Sequence, residues 1–197
     1  MTVVAALAGY LIGSIPTANA LAGMMGIDLR ASGSTNPGAI NARRLGGIRL
    51  AAAVLLVEGA KGALAVWVGS GIAGQSGMVA AGIGAVAGNV YNVWYRFGGG
   101  KGLGITLGVL AAAWPVGLLI ALPVIAAGAA ITRSSGIATI IALGVLLASA
   151  LGASQLGLAT PWGVIEYTTL PWLIGGLALV LLPKHVRDAL GRKPFPA

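Results

Sequence analysis

The sequence predicts an all-α fold, a polytopic bundle of about seven membrane helices, two of them short, with the N-terminus outside and the C-terminus cytoplasmic. Three observations predict it. Of 197 residues, 57% are hydrophobic and 8% charged, where a soluble domain carries about a quarter charged residues. Apolar runs of the roughly 20 residues needed to cross a hydrocarbon core recur along the chain. Almost all of the 12 lysines and arginines fall between those runs. The 33 glycines lie within runs rich in Ala, Leu, Val and Ile, where small residues let helices approach closely. The chain has no cysteine, which excludes disulfides, thiolate metal sites and a cysteine nucleophile. The formal charge of +8 is interleaved with apolar spans, so anionic lipid head groups and phosphorylated small molecules are the expected partners, not nucleic acid.

The runs cover roughly 2–25, 48–70, 76–95, 103–131, 136–156 and 163–182. The first lacks the basic leader and cleavage site of a signal peptide and is expected to be retained as a span. Arg30, Arg43, Arg44 and Arg49 follow it; Arg96 and Lys101 follow the third run, and Arg133 the fourth. Lys184, Arg187, Arg192 and Lys193 end the chain, while the connections near 71–75 and 153–162 carry no charge. The positive-inside rule makes the basic segments cytoplasmic and the neutral ones external. Residues 1–183 then form a single transmembrane domain and 184–197 a short basic tail. Lys101 and Arg133 both fall inside, so the chain between them crosses an even number of times. Two short helices turning near Trp114-Pro115 meet that condition, each reaching about 20 Å at 1.5 Å per residue.

Two cytoplasmic loops carry chemistry. The first packs Ser32, Ser34, Thr35, Asn36, Asn41, Arg43 and Arg44 around the turn formers Gly33, Pro37 and Gly38. Hydroxyls, amides and guanidinium groups donate to phosphate oxygens, and arginine does so bidentately. By composition alone, the same arginines would serve equally as topology anchors. The second loop, Arg96-Phe-Gly-Gly-Gly-Lys-Gly-Leu-Gly104, sets glycine N–H groups and Lys101 at a helix start, the recipe for an anion site. Gly102 stands where a nucleotide-binding loop needs Ser or Thr, so nucleotide hydrolysis is unsupported. Glu58 and Lys61 share one face of the second span and are expected to neutralise each other. Arg133-Ser134-Ser135 reads as a topology anchor first and a donor cluster second. His185 is the single histidine and no thiolate is available, so no metal site is expected; it reads as a surface residue near lipid or as a phosphate contact. The five tryptophans belong to an interfacial belt.

At these loops the chain resembles the acyl-phosphate-dependent glycerol-3-phosphate acyltransferase (PlsY) family. Gly13-Ser-Ile-Pro16 is similar to the family's opening, and Ser32-Gly-Ser-Thr-Asn-Pro-Gly-Ala-Ile-Asn-Ala-Arg-Arg44 to its first motif. Ser34, Asn36, Gly38, Ala39, Asn41 and Arg44 occupy matching positions, Lys61-Gly62 and Trp67 follow, and Phe97, Gly99, Gly100, Lys101 and Gly102 match the second motif. Thr35, Ile40, Asn89, Asn92, Gly98 and Ile105 depart from the usual residues, and of the third motif His185 and some basic residues remain. The resemblance implies a seven-helix enzyme of phospholipid synthesis in the cell membrane. It would move a fatty acyl group from acyl phosphate to the 1-hydroxyl of glycerol 3-phosphate, without a cofactor or metal, giving lysophosphatidic acid. It implies catalytic roles for Ser34, Arg44, Lys101 and His185. Substrate binding would fall to Asn36, Gly38, Asn41, Gly99, Gly100 and Gly102. A homologue with another acceptor, or a non-catalytic phosphate- or lipid-binding membrane protein, is the alternative. A transporter ranks last, because only Glu58 and Lys61 are charged at depth.

Overall fold

A computed structural model describes residues 1–158 and 162–191. Arg192 and Lys193, read above as part of the tail, lie outside the described residues. Those residues form helices α1 (Thr2–Ser14), α2 (Thr17–Gly23), α3 (Ala39–Val90), α4 (Leu103–Ala113), α5 (Pro115–Thr132), α6 (Ser135–Leu156) and α7 (Leu170–Ala189), with a 3-10 turn at Val93–Tyr95. No strand occurs among the described residues. Thr2–Gly23, Ala39–Tyr95, Pro115–Thr132 and Ser135–Leu156 are long and apolar enough to cross a membrane.

The breaks follow from backbone chemistry. The run expected as one first span is two helices, because Pro16 lacks an N–H and interrupts the ladder after Ser14. Two side chains from α3 and the loop beyond it supply the missing donors. Lys61 Nζ donates to Ile15 O at 2.7 Å, and Asn92 Nδ2 donates to Ser14 O at 2.7 Å. Lys61 also pairs with Glu58 at 3.1 Å, and Thr17 and Asn89 donate to the same carboxylate. The neutralising pair expected at depth is thus formed, and it fastens the first helix break to both halves of α3.

Within α3 the helix stops at Gly47 (φ 80°) and again at Ala73-Gly74, where Gly74 has φ 57°. At the second stop the chain reverses. Gly69 abuts Gly77, Gly82 lies near Val66, and Asn89 reaches Glu58, so 48–72 and 75–90 run antiparallel. The neutral connection predicted near 71–75 is this reversal. α1 runs parallel to 75–90 and packs on it through glycines on both sides. A Cβ added to Gly13 would overlap the Ala85 carbonyl, and one added to Gly84 or Gly88 would overlap the carbonyls of Ala6 or Tyr10. Membrane helices gain little from hiding apolar surface from lipid, so such close backbone contact carries their association.

The break at Trp114-Pro115 also falls where the sequence places it. α4 has 11 residues and α5 has 18, so α4 reaches only about 16 Å while α5 is near full span length. Ala113 O accepts from Ile165 N, and Gln75 bonds Val164 O and Glu166 N. One end of the bundle therefore gathers the 73–75 reversal, the α4–α5 break and residues 163–166. At the other end, Ser135 meets Asp188 while Lys184 meets the 99–100 backbone. The basic segments collect there. The core between the ends is built from α3, α4, α6 and α7 around Val86, Val109, Leu146, Leu173 and Leu177.

Candidate active site

The first loop is held by side-chain bonds to its own backbone. Asp28 Oδ1 accepts from Arg30 N at 2.8 Å and Ala31 N at 3.3 Å, and the Arg30 N–H above all holds the carboxyl below the usual range. Asn41, on the first turn of α3, is fully buried. Its Oδ1 accepts from Ser34 N at 2.9 Å, and its Nδ2 donates to Leu29 O at 2.9 Å and Ser32 O at 3.0 Å. Gly33 (φ 66°) is obligatory beside it, because a Cβ there would overlap Asn41 Oδ1. Asn41, expected to touch substrate, has its polar atoms committed to the loop and shapes the turn that presents Ser34. Ser34, Arg43 and Arg44 are exposed. Among the described residues, no hydrogen bond or ion pair links Ser34 or Arg44 to Lys101.

The glycine loop is threaded through the bundle. Gly98 N donates to Tyr95 O at 2.8 Å and Gly100 N to Asn89 O at 3.0 Å. Two of the N–H groups expected to face an anion are thus spent on the loop's own fold. A Cβ on Gly99 would overlap Asn89 O, and one on Gly102 (φ 80°) would lie 2.7 Å from Leu181 and Val90. These glycines are required by packing as well as by any ligand. One built on Gly100 would lie 3.5 Å from Pro37 O and 3.8 Å from Asn36 Oδ1, so the two loops meet there. Gly38 opens α3 beside Asn36, and a Cβ on it would lie 2.8 Å from Asn36 Nδ2. The Arg30 guanidinium stacks over Tyr95 at 4.1 Å, a cation–π contact that fastens the first loop to the second. Between them lies a small cleft lined by Pro16, Asn19, Pro37, Glu58, Tyr95 and Gly100 among others.

The third wall comes from α7. His185, expected near the surface, is fully buried, because its Nε2 turns inward to Lys101 O at 3.1 Å. Its Nδ1 has no partner among the described residues. Lys184 Nζ donates to Val90 O at 2.7 Å, to Gly100 O at 3.0 Å and to Gly99 O. Lys101 Nζ pairs with Asp188 Oδ1 at 2.6 Å, and Asp188 Oδ2 accepts from Ser135 Oγ at 3.0 Å. Sequence reasoning gave Lys184 only a topological role and passed over Asp188. The available signal was spacing, since 184, 185 and 188 share one helix face, and Asp188 is the acidic residue among the basic ones. Arg133 is exposed, while Ser135 joins the cluster.

The Lys184 clamp has a measurable consequence. Lys184→Met keeps the stem and removes three charge-assisted donations. Amide hydrogen exchange across 98–102 is expected to quicken by about tenfold or more, with α1 unchanged. Equal exchange in the loop would contradict the clamp.

With this geometry, the chain compares closely with known proteins. A family model described as glycerol-3-phosphate acyltransferase matches residues 3–189. A glycerol-3-phosphate acyltransferase of Rhodospirillum rubrum is 41% identical, the match covering 96% of this chain and 91% of the relative. One from Paramagnetospirillum magneticum is 45% identical over 72% of this chain and 71% of its own. Among solved structures, PlsY, an integral membrane glycerol 3-phosphate acyltransferase, in its glycerol 3-phosphate form, is similar at a TM-score of 0.72 and 26% identity. That match covers 99% of this chain and 96% of the other.

Proposed function

The chain belongs to the glycerol-3-phosphate acyltransferase family, and from that premise we propose that it transfers a fatty acyl group from acyl phosphate to the 1-hydroxyl of glycerol 3-phosphate. It is an integral-membrane acyltransferase. The products are lysophosphatidic acid and inorganic phosphate, and the reaction takes place on the cytoplasmic face of the cell membrane. The observation that carries the reading is the meeting, at one end of the bundle, of the Ser34 loop, the Gly99–Lys101 loop and the end of α7.

The chemistry needs positioning more than covalent participation. The acceptor hydroxyl oxygen attacks the acyl carbonyl carbon, and the bond from that carbon to the phosphate oxygen breaks. The departing phosphate takes the electron pair and, at the end, the hydroxyl proton. Phosphate is a good leaving group, so no Ser-His-Asp arrangement is needed. Lys101 and Arg44 stabilise charge growing on the phosphate, with Ser34 and the Asn36 amide as neutral donors. Gly38, Gly99, Gly100 and Gly102 let backbone approach the site where a side chain would fill it. His185 and Asn41 act beneath the surface, holding Lys101 and the Ser34 turn in place. The acyl chain lies between helices in the bilayer, which accounts for a reaction site at the membrane surface.

Seven crossings, with the N-terminus outside and the C-terminus cytoplasmic, accommodate this arrangement. The basic segments then share one face, the neutral segments share the other, and α4 and α5 cross as a pair between them. Residues 1–183 act as one transmembrane domain.

Membranes containing the protein, supplied with acyl phosphate and glycerol 3-phosphate, are expected to form lysophosphatidic acid and release phosphate in equal amounts. No product above empty membranes overturns the reading. Product with another hydroxylated acceptor, and none with glycerol 3-phosphate, reassigns the acceptor.

A further inference from the structure

Among the four acidic residues of the chain, Asp188 is the one that touches a group assigned to phosphate. Asp28 is spent on the first loop, Glu58 is locked with Lys61 and Asn89, and Glu166 lies at the opposite end of the bundle. The Lys101–Asp188 pair is partly exposed, at 28% and 32% for the two side chains. Asp188 is also anchored from behind by Ser135 Oγ on α6, so it is held in place independently of Lys101. A carboxylate fixed on a phosphate-holding ammonium is an anion competing with the ligand for the same donor. A phosphate arriving at Lys101 must displace it or share the lysine with it at a repulsive cost.

We propose that Asp188 is an internal competitor for Lys101, a positioning residue that keeps the site's hold on phosphate weak enough for the product to leave. It rests on the reading of Lys101 as the holder of the donor's phosphate. Lys101 lies on Asp188. Donor phosphate draws the ammonium away, and Asp188 stays on Ser135. After acyl transfer the leaving inorganic phosphate still occupies Lys101, and recapture of the lysine by Asp188 helps release it. Binding donor and product equally tightly adds nothing to turnover, so weakening that shared grip favours the catalytic cycle. No bond is made or broken by Asp188; one ion pair is exchanged for another.

A purely structural strut predicts the opposite sign. If Asp188 served only to hold Lys101 in place, its loss would weaken phosphate binding. In the full-length protein in membranes, Asp188→Asn is expected to lower the inhibition constant for inorganic phosphate by about two- to fivefold, the scale of a partly exposed ion pair. The KM for acyl phosphate falls with it, while phosphate release slows and kcat does not rise. An unchanged or higher inhibition constant overturns the proposal.

The second readout needs no turnover. The phosphate concentration that raises the melting temperature of the purified protein by a fixed amount is expected to fall by the same factor. An equal or higher concentration overturns the proposal even if the wild-type protein proves inactive with acyl phosphate. That outcome is therefore distinct from failure of the functional reading. Should Asp188→Asn not fold, Asp188→Ser removes the charge while keeping a hydrogen-bonding group for Ser135, and the same two measurements apply.

Discussion

Lys101→Ala is expected to reduce acyl transfer about a thousandfold while leaving the bundle folded. The size follows from position. Lys101 is the cation on the glycine loop, just before the start of α4, and its ammonium reaches Asp188 on α7. Removing a single preorganised donor from a developing negative charge costs about a hundred- to a thousandfold in turnover. Here the loss is compounded, because Asp188, 2.6 Å from Lys101 Nζ in the wild type, remains as an unopposed negative charge where phosphate must sit. The fold should survive. His185 bonds the Lys101 carbonyl rather than its side chain, and Lys184 holds the preceding Gly99 and Gly100 carbonyls. A melting temperature within a few degrees of wild type, with activity near background, is the expected pair of results. Activity above about a tenth of wild type would remove Lys101 from the mechanism. Lys101→Arg should recover part of the rate, since it restores charge on a longer side chain with different geometry.

Gly84→Leu carries the second large effect, on the fold instead of the chemistry. A Cβ at residue 84 would overlap the Ala6 carbonyl and lie 3.1 Å from Tyr10 N. Backbone on both sides leaves nothing flexible to yield, so α1 must leave its groove on 75–90. α1 also delivers the Ser14 and Ile15 carbonyls to Asn92 and Lys61, so displacing it strips partners from charged and polar groups at depth. A cost of at least about 3–5 kcal/mol is expected, enough to prevent accumulation of folded protein. Folded yield in detergent and the melting temperature measure it. Gly144→Leu is the matched control, because a Cβ there meets nothing within 4 Å, and it should stay close to wild type. Equal behaviour of the two variants would refute glycine-mediated packing of α1.

Several elements of the fold were legible in the chain because their causes are local. The Trp114-Pro115 break follows from Lys101 and Arg133 falling on one side, which demands an even number of crossings with a proline at hand for the turn, and the 73–74 reversal lies in an uncharged connection between two apolar spans. The break at Pro16 was missed for a related reason. Its neighbours are apolar, and the donors that make it tolerable, Lys61 and Asn92, lie far along the chain. In the site, the motif residues and their loops could be located, but their occupations could not. Asn41 looks like a ligand in any list of donors; burial and three backbone bonds make it a brace. His185 looks like a surface group and is packed under the glycine loop.

The helical class and the clustering of positive charge between apolar spans can be read from the residues in order along the chain. So can the places of the two loops proposed to hold phosphate. Those features depend on the affinity of each residue for hydrocarbon or water, and that affinity is carried by the residue alone. Which donors remain free was settled by the packing of the helices. Hydrogen-bonding groups compete for partners across the whole molecule, so the fates of the Gly100 N–H, the Asn41 amide and the Lys101 ammonium were set by Asn89, Leu29 and Asp188. The sites where those partners meet exist only once the helices have packed.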